Sequence, residues 1–206
     1  MSRFSIGALG ALFIIPAMAE DSFFYISAAG LRSHQRFTDI QVNIIDTATG
    51  NWTNLPNPNL ADNVLGASLA IGYGAGNFRG EIDLTMRGKA HVNNATIKSD
   101  SLTVNLFYDF NNNTRITPFV GVGAGVSQAR LHIENLDLSS TKTNFAAMGI
   151  IGVSLYVTYD FRLNLSYRYA RLGHVALRHE VGGGEILDVR ARNTGSEFLL
   201  GASYRF

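Results

Sequence analysis

Residues 78–87 alternate without interruption, with Phe78, Gly80, Ile82, Leu84 and Met86 on one side and Arg79, Glu81, Asp83, Thr85 and Arg87 on the other. A period of two is that of a β-strand with one apolar and one polar face, because successive side chains point to opposite sides of the pleat. The pattern recurs along the chain, while no window supplies the roughly 18 consecutive apolar residues of a membrane helix. Whatever this chain folds into is built from two-faced strands.

Eight such segments are legible, over 23–31, 64–75, 78–87, 101–110, 119–127, 144–156, 161–169 and 194–206. In the first, Phe24, Ile26 and Ala28 oppose Tyr25, Ser27 and Ala29; in the fourth, Leu102, Val104, Leu106, Tyr108 and Phe110 oppose Ser101, Thr103, Asn105, Phe107 and Asp109. The segment at 144–156 is apolar in both phases, and Ala147, Gly149, Ile151, Val153 and Leu155 are taken as its outward side. Three links are short, at Gly76-Asn77, 111–114 and 158–160, and four are long, at about 32–63, 88–100, 129–143 and 170–193. Short turns alternating with long loops, and an even strand number that returns both ends to one side, are features of bacterial membrane barrels. The fold expected is all-β, an eight-stranded antiparallel transmembrane up-and-down β-barrel over residues 20–206.

The two ends of the chain bear on location. Arg3, the apolar run 4–15 and the small-x-small site Ala17-Met18-Ala19 form a secretory signal peptide over residues 1–19, so the mature chain begins near Glu20. There is no cysteine, so an exported protein of this sequence relies on burial and strand pairing rather than disulfides. The last segment closes on Tyr204-Arg205-Phe206. It resembles the final strand of bacterial outer-membrane barrels, where the terminal aromatic, here Phe206, is the signal read by the barrel assembly machinery.

Alternation alone leaves open which face points inward. A soluble barrel of lipocalin type would reverse every assignment, with Phe161, Leu163 and Leu165 inside and Arg162, Asn164 and Arg168 in water. Three features favour the membrane: the terminal Phe206, the strand-end aromatics Phe78, Tyr108, Phe110, Tyr169 and Tyr204 as interfacial girdles, and glycine-rich polar faces that make poor soluble surfaces. Charged residues at 16% fall below the roughly 25% usual for soluble domains. A net charge of +1, with lysine only at 89, 98 and 142, offers no basic stripe for nucleic acid.

An eight-stranded interior is only wide enough for side chains to fill it. The inward set Arg79, Glu81, Asp83, Arg87, Asp109, Arg162, Arg168, Glu197 and Arg205 then reads as an ionic plug of five positive and four negative groups, because unpaired charge in a confined space carries a large desolvation cost. Glu81 and Asp83 project from one face about 7 Å apart, a spacing at which carboxylates can share acid and base roles, but the flanking Arg79 and Arg87 favour a plug over a catalyst. Gly121-x-Gly123-x-Gly125 lacks the spacing and following helix of a dinucleotide loop, and reads as small lumen-facing residues that leave room for bulky neighbours. His174, His179, Glu180, Glu185 and Asp188 share the last long link, and His34, His91 and His132 are scattered over three others; no spacing among them defines a metal site. No cofactor is implied.

The mature chain resembles the opacity-protein and surface-antigen superfamily of eight-stranded outer-membrane barrels, of major surface protein type. The resemblance lies in Ser22-Phe23-Phe24-Tyr25-Ile26-Ser27, Tyr108-Asp109-Phe110, the stretch Thr117-Pro118-Phe119-Val120-Gly121-Val122-Gly123-Ala124-Gly125-Val126, and Gly201-Ala202-Ser203-Tyr204-Arg205-Phe206. It implies a surface-exposed barrel in outer-membrane lipid whose loops meet host cells or another extracellular ligand, with some members acting as porins. A narrow porin-like channel is the alternative. A lipid-modifying enzyme comes last, since the His-x-Ser arrangement that eight-stranded lipid A deacylases carry on a late strand is replaced by Tyr167-Arg168-Tyr169-Ala170-Arg171.

Overall fold

The computed structural model describes residues 22–46, 52–55, 60–92, 95–112, 114–133, 138–181 and 185–206. They form β1 (Ser22–Asp46), β2 (Trp52–Leu55), β3 (Leu60–Ala75), β4 (Phe78–Val92), β5 (Ala95–Asp109), β6 (Ile116–Ile133), β7 (Leu138–Tyr156), β8 (Phe161–Val181) and β9 (Glu185–Arg205). Each long strand pairs antiparallel with its sequence neighbour, and β1 closes the sheet on β9. Eight long strands therefore make a closed barrel, and the short β2 adds only a four-residue pairing to the far end of β1. Closure leaves no edge along the barrel. The signal peptide expected at 1–19 lies outside the described residues.

Register lines climb around the barrel. From Arg36 the pairs run through Thr194, Arg171, Ala147, Ala124, Val104, Ile82 and Ile71, and return to β1 at Ile26 rather than Arg36. This stagger of about ten residues tilts the strands by roughly 40° to the axis. It also brings side chains far apart in sequence to the same level of the lumen.

The face assignments follow the alternation. Leu65, Leu106 and Val122 are 74%, 62% and 65% exposed, while Val64, Asn105 and Phe107 beside the first two are buried. An apolar surface of this extent would aggregate in water and is satisfied by lipid. In β7, Ile151 and Val153 face out while Ala146, Met148 and Ile150 are buried inside. Aromatic pairs Phe78–Tyr108 and Tyr108–Phe110 meet edge to face at 5.2 and 5.1 Å near the short turns, where the Phe24–Tyr73 pair also sits.

The links differ from expectation. The short turns stand as read, with Gly76 at φ +57 supplying the left-handed residue of the first. The four long links, by contrast, are largely strand where described: β1 continues to Asp46, β4 to Val92, β6 to Ile133 and β8 to Val181. Backbone pairing satisfies N–H and C=O groups whether or not the outward side chain is apolar. Loss of apolar alternation thus marks the edge of the lipid-facing band and not the end of the strand. Register slips at Thr38/Gln41, Met86/Lys89 and Arg171/Gly173 mark the change from band to projecting hairpin.

Candidate functional site

The charged interior is assembled from strands that are remote in sequence. Glu197 on β9 is fully buried and receives two arginines: Arg87 Nε of β4 donates to Oε1 at 2.6 Å, and Arg168 Nε of β8 donates to Oε2 at 2.6 Å. Ser33 Oγ donates to Oε1 at 3.0 Å, and Arg87 also donates to Ser101 Oγ at 2.9 Å. Arg168 reaches Asp83 at 3.5 Å and donates to Thr85 Oγ1 at 3.1 Å, while Asp83 accepts from Ser68 and Thr85. The cluster holds two guanidinium groups against two carboxylates, so it is neutral as a unit, and its hydrogen bonds offset the desolvation of each member.

Nearer the short turns, Arg79 grips Asp109 with two bonds, Nε to Oδ2 at 2.7 Å and Nη2 to Oδ1 at 2.9 Å. Its guanidinium lies 4.8 Å from the Phe107 ring centre and 5.2 Å from that of Phe119. Glu81 accepts from Tyr25 Oη at 3.1 Å and Asn105 Nδ2 at 3.2 Å and not from an arginine. Glu81 and Asp83 thus have separate partners and no shared proton-transfer geometry. Both border a cavity of about 70 Å³, large enough for a few waters, whose wall also includes Arg79, Asn105 and Arg168.

Besides Glu81, two of the nine charged residues, Arg162 and Arg205, stand outside these ion pairs. Arg162 is buried and stacks over Tyr25 at 4.9 Å, with Nη2 lacking a hydrogen-bond partner. Arg205, at the mouth, lies over Phe23 at 4.2 Å and Tyr159 at 4.7 Å and donates to Tyr159 Oη at 3.2 Å. Both positions have the inward parity of the set, yet their neighbours are aromatic. Parity specifies a face and carries no information on which inward groups share a level.

The opposite side of the lumen is apolar. Phe107, Phe119, Ala146, Met148, Ile150, Ala170 and Leu172 form one buried cluster. Phe107 and Phe119 pack edge to face at 5.7 Å, in space left by glycine: a Cβ at Gly121 would overlap the Phe107 ring, and one at Gly72 would overlap Tyr25 on the ionic side. The polar partners Ser33, Ser68, Thr85 and Tyr25, and the apolar Met148 and Leu172, were not singled out from the sequence. Their inward parity was the only available signal.

Of the remaining candidates, the two whose side chains are described, His34 and His174, do not converge. His34 Nδ1 lies 3.1 Å from Asn63 Oδ1 on the outer surface, and His174 is exposed. The side chains of His91, His132, His179, Glu180, Glu185 and Asp188 lie outside the described residues. Among the described residues no three His, Asp or Glu side chains gather as metal ligands. On β8, Tyr169 and Arg171 face outward and Arg168 inward.

Comparison with known proteins agrees with this architecture. The family model described as outer membrane protein beta-barrel domain matches residues 5–206. Outer membrane protein PagN of Salmonella typhimurium is 28% identical over 181 residues, 72% of this chain and 76% of that protein. OprG of Pseudomonas aeruginosa shares the fold with a TM-score of 0.64 at 15% identity, over 89% of this chain and 96% of OprG. Neisserial surface protein A does so with a TM-score of 0.61 at 19% identity, over 89% of this chain and 97% of that protein. A closed barrel with a lipid-facing apolar band, matched by the family model over nearly its whole length, makes this chain a member of the outer membrane protein beta-barrel family, resident in the bacterial outer membrane.

Proposed function

We propose that the protein is a surface-recognition barrel whose long hairpins project from the cell and contact a host or other extracellular ligand, while the barrel itself is a closed anchor and not a catalyst. The observation that carries this reading is the inequality of the two rims. One has turns of a few residues, whereas at the other β8 runs ten residues past Arg171 to Val181, roughly 30 Å of paired strand. Barrels of this class keep short turns on the periplasmic side and long connections outside. Rigid paired strands hold their tips at a fixed height, which suits contact with a partner.

The inward charged set supports a plug over a pore. Its two ion-paired groups, the glycine-accommodated rings and the apolar cluster leave a cavity of about 70 Å³ among the described residues of the lumen. The register suggests a clean test of the recognition role. Phe37 pairs with Leu60, so joining them through an Asn-Gly turn removes 38–59 while retaining the pairs below. Bacteria displaying this variant should keep a heat-modifiable folded barrel and lose adhesion to cultured epithelial cells. Undiminished adhesion would place recognition elsewhere. In planar bilayers the purified parent should conduct little, and a large stable conductance that survives the deletion would favour the porin-like alternative.

A further inference from the structure

Toward the short turns the lumen ends in a small pocket that the ion pairs do not reach. Its wall is formed by Phe23, Tyr156, Tyr159, Asp160, Arg162 and Arg205, and its volume of about 10 Å³ admits roughly one water. The backbone frames it firmly. Arg205 N–H donates to Asp160 O at 2.8 Å and Phe206 N–H donates to Phe24 O at 3.1 Å, which ties the turn at 158–160 to β9 and β9 to the start of β1.

Positive charge is uncompensated here. The inward set carries five arginines against four carboxylates, and among the described residues no carboxylate lies within ion-pair distance of Arg162 or Arg205. Asp160, the carboxylate on the pocket wall, is exposed and pairs with neither. Arg162 is 5% exposed and its Nη2 has no hydrogen-bond partner, which costs free energy unless an acceptor arrives. Arg205 stacks on Phe23 and Arg162 on Tyr25, two rings whose centres are 6.1 Å apart. Stacking occupies the flat face of a guanidinium and leaves its in-plane N–H groups to donate.

We infer that this mouth is a binding site for the C-terminal carboxylate of a peptide. One carboxylate oxygen enters beside Arg162, and the other takes Arg205, which is half-exposed and donates one bond to Tyr159 Oη at 3.2 Å. The residue that bears the carboxylate lies against the Tyr159 ring, 74% exposed at the rim. A planar carboxylate matches the guanidinium fork. A tetrahedral phosphate is bulkier than a space of one water receives, and a cation would be repelled by both arginines.

That the peptide comes from the periplasm rests on the outward orientation of the long hairpins. The test does not, because binding is read on the purified full-length barrel in zwitterionic micelles. Titrated with N-acetyl-alanyl-alanine and followed through the amide NMR shifts of Tyr159 and Arg205, the parent should bind. R162Q/R205Q should bind at least about tenfold more weakly, and so should the parent with the C-terminally amidated peptide. If the double variant does not fold, R205Q alone should weaken binding at least about threefold. R36Q/R171Q removes the same charge from exposed positions at the opposite rim and should change affinity less than about twofold. Preference for the L,L peptide marks a protein tail and preference for the D,D peptide a cell-wall stem, and either supports the site. Equal binding of the amidated peptide, or unchanged binding by a folded R205Q barrel, would overturn it. Acetate binding as tightly as the peptide would overturn it too, leaving a site for a small ion only.

Discussion

The two walls of the lumen fill the same space by opposite means. One is lined by Asp83, Arg87, Arg168 and Glu197, the other by Phe107, Phe119, Met148, Ile150 and Leu172. The ionic wall works through geometry: each group needs particular partners, such as the two arginines that share Glu197. The apolar wall works through volume, and glycines such as Gly121 adjust it. An interior of this width must be filled, but the barrel does not dictate with what chemistry. The walls should therefore fail differently when cut.

The largest effect is expected on the ionic wall. Glu197→Ala strands two buried guanidinium groups and should cost about 3–5 kcal/mol in urea unfolding from lipid vesicles. Replacing the whole cluster, with Arg87→Met, Arg168→Met, Glu197→Leu and Asp83→Asn together, should recover most of that loss, because an apolar filling avoids the desolvation of charge. A single variant as stable as the parent would erase the distinction between the walls. On the apolar wall, Met148→Ala leaves a cavity and should cost about 2–3 kcal/mol, while Met148→Leu should stay within about 1 kcal/mol, since volume is what matters there. Equal losses from the two would mean that Met148 acts through its 4.0 Å sulfur contact with Arg168.

Overfilling sharpens the same contrast. Gly121→Val places a side chain where the Phe107 ring lies and should cost about 1–2 kcal/mol, relieved when Phe107→Leu accompanies it. The smallest effect belongs to Arg205, which has the parity of the ionic set but sits half-exposed on Phe23 and Tyr159. Arg205→Leu should cost about 0.5–1 kcal/mol, the scale of an exposed cation–π contact. A loss rivalling that of Glu197 would show the mouth to be part of the ionic network.

The same contrast explains what was legible in the residues. On β4 the inward side carries Arg79, Glu81, Asp83 and Arg87, so the two faces separate at a glance. On β7 the inward Ala146, Met148 and Ile150 pack against the apolar wall, so both phases read as apolar. The strand lengths were hidden for a related reason: above the lipid band the outward side turns polar, as at Lys89 and Arg130, so the oily outer face ends while backbone pairing continues. A net charge of +1 concealed that Arg32, Arg36, Arg171 and Arg192 are all exposed on β1, β8 and β9, because overall balance is silent about segregation. Arg32, Arg36, Arg171 and Arg192 come from opposite ends of the chain and meet only through the closure of β1 on β9.

Alternation, turn positions and the even strand count determined an eight-stranded barrel, and the terminal Phe206, the strand-end aromatics and the glycine-rich polar faces determined that its apolar side meets lipid. The alternation follows from the local pleat, which repeats every two residues whatever lies opposite. The tertiary structure alone decided that Glu197 takes both Arg87 and Arg168, that Arg162 and Arg205 take aromatic rings, and that one wall is oily. Those choices depend on the stagger, which carries the register line from Arg36 to Ile26 in one circuit and sets which inward side chains share a level. Stagger is a property of closure, set by all the strands at once, and no single strand encodes it.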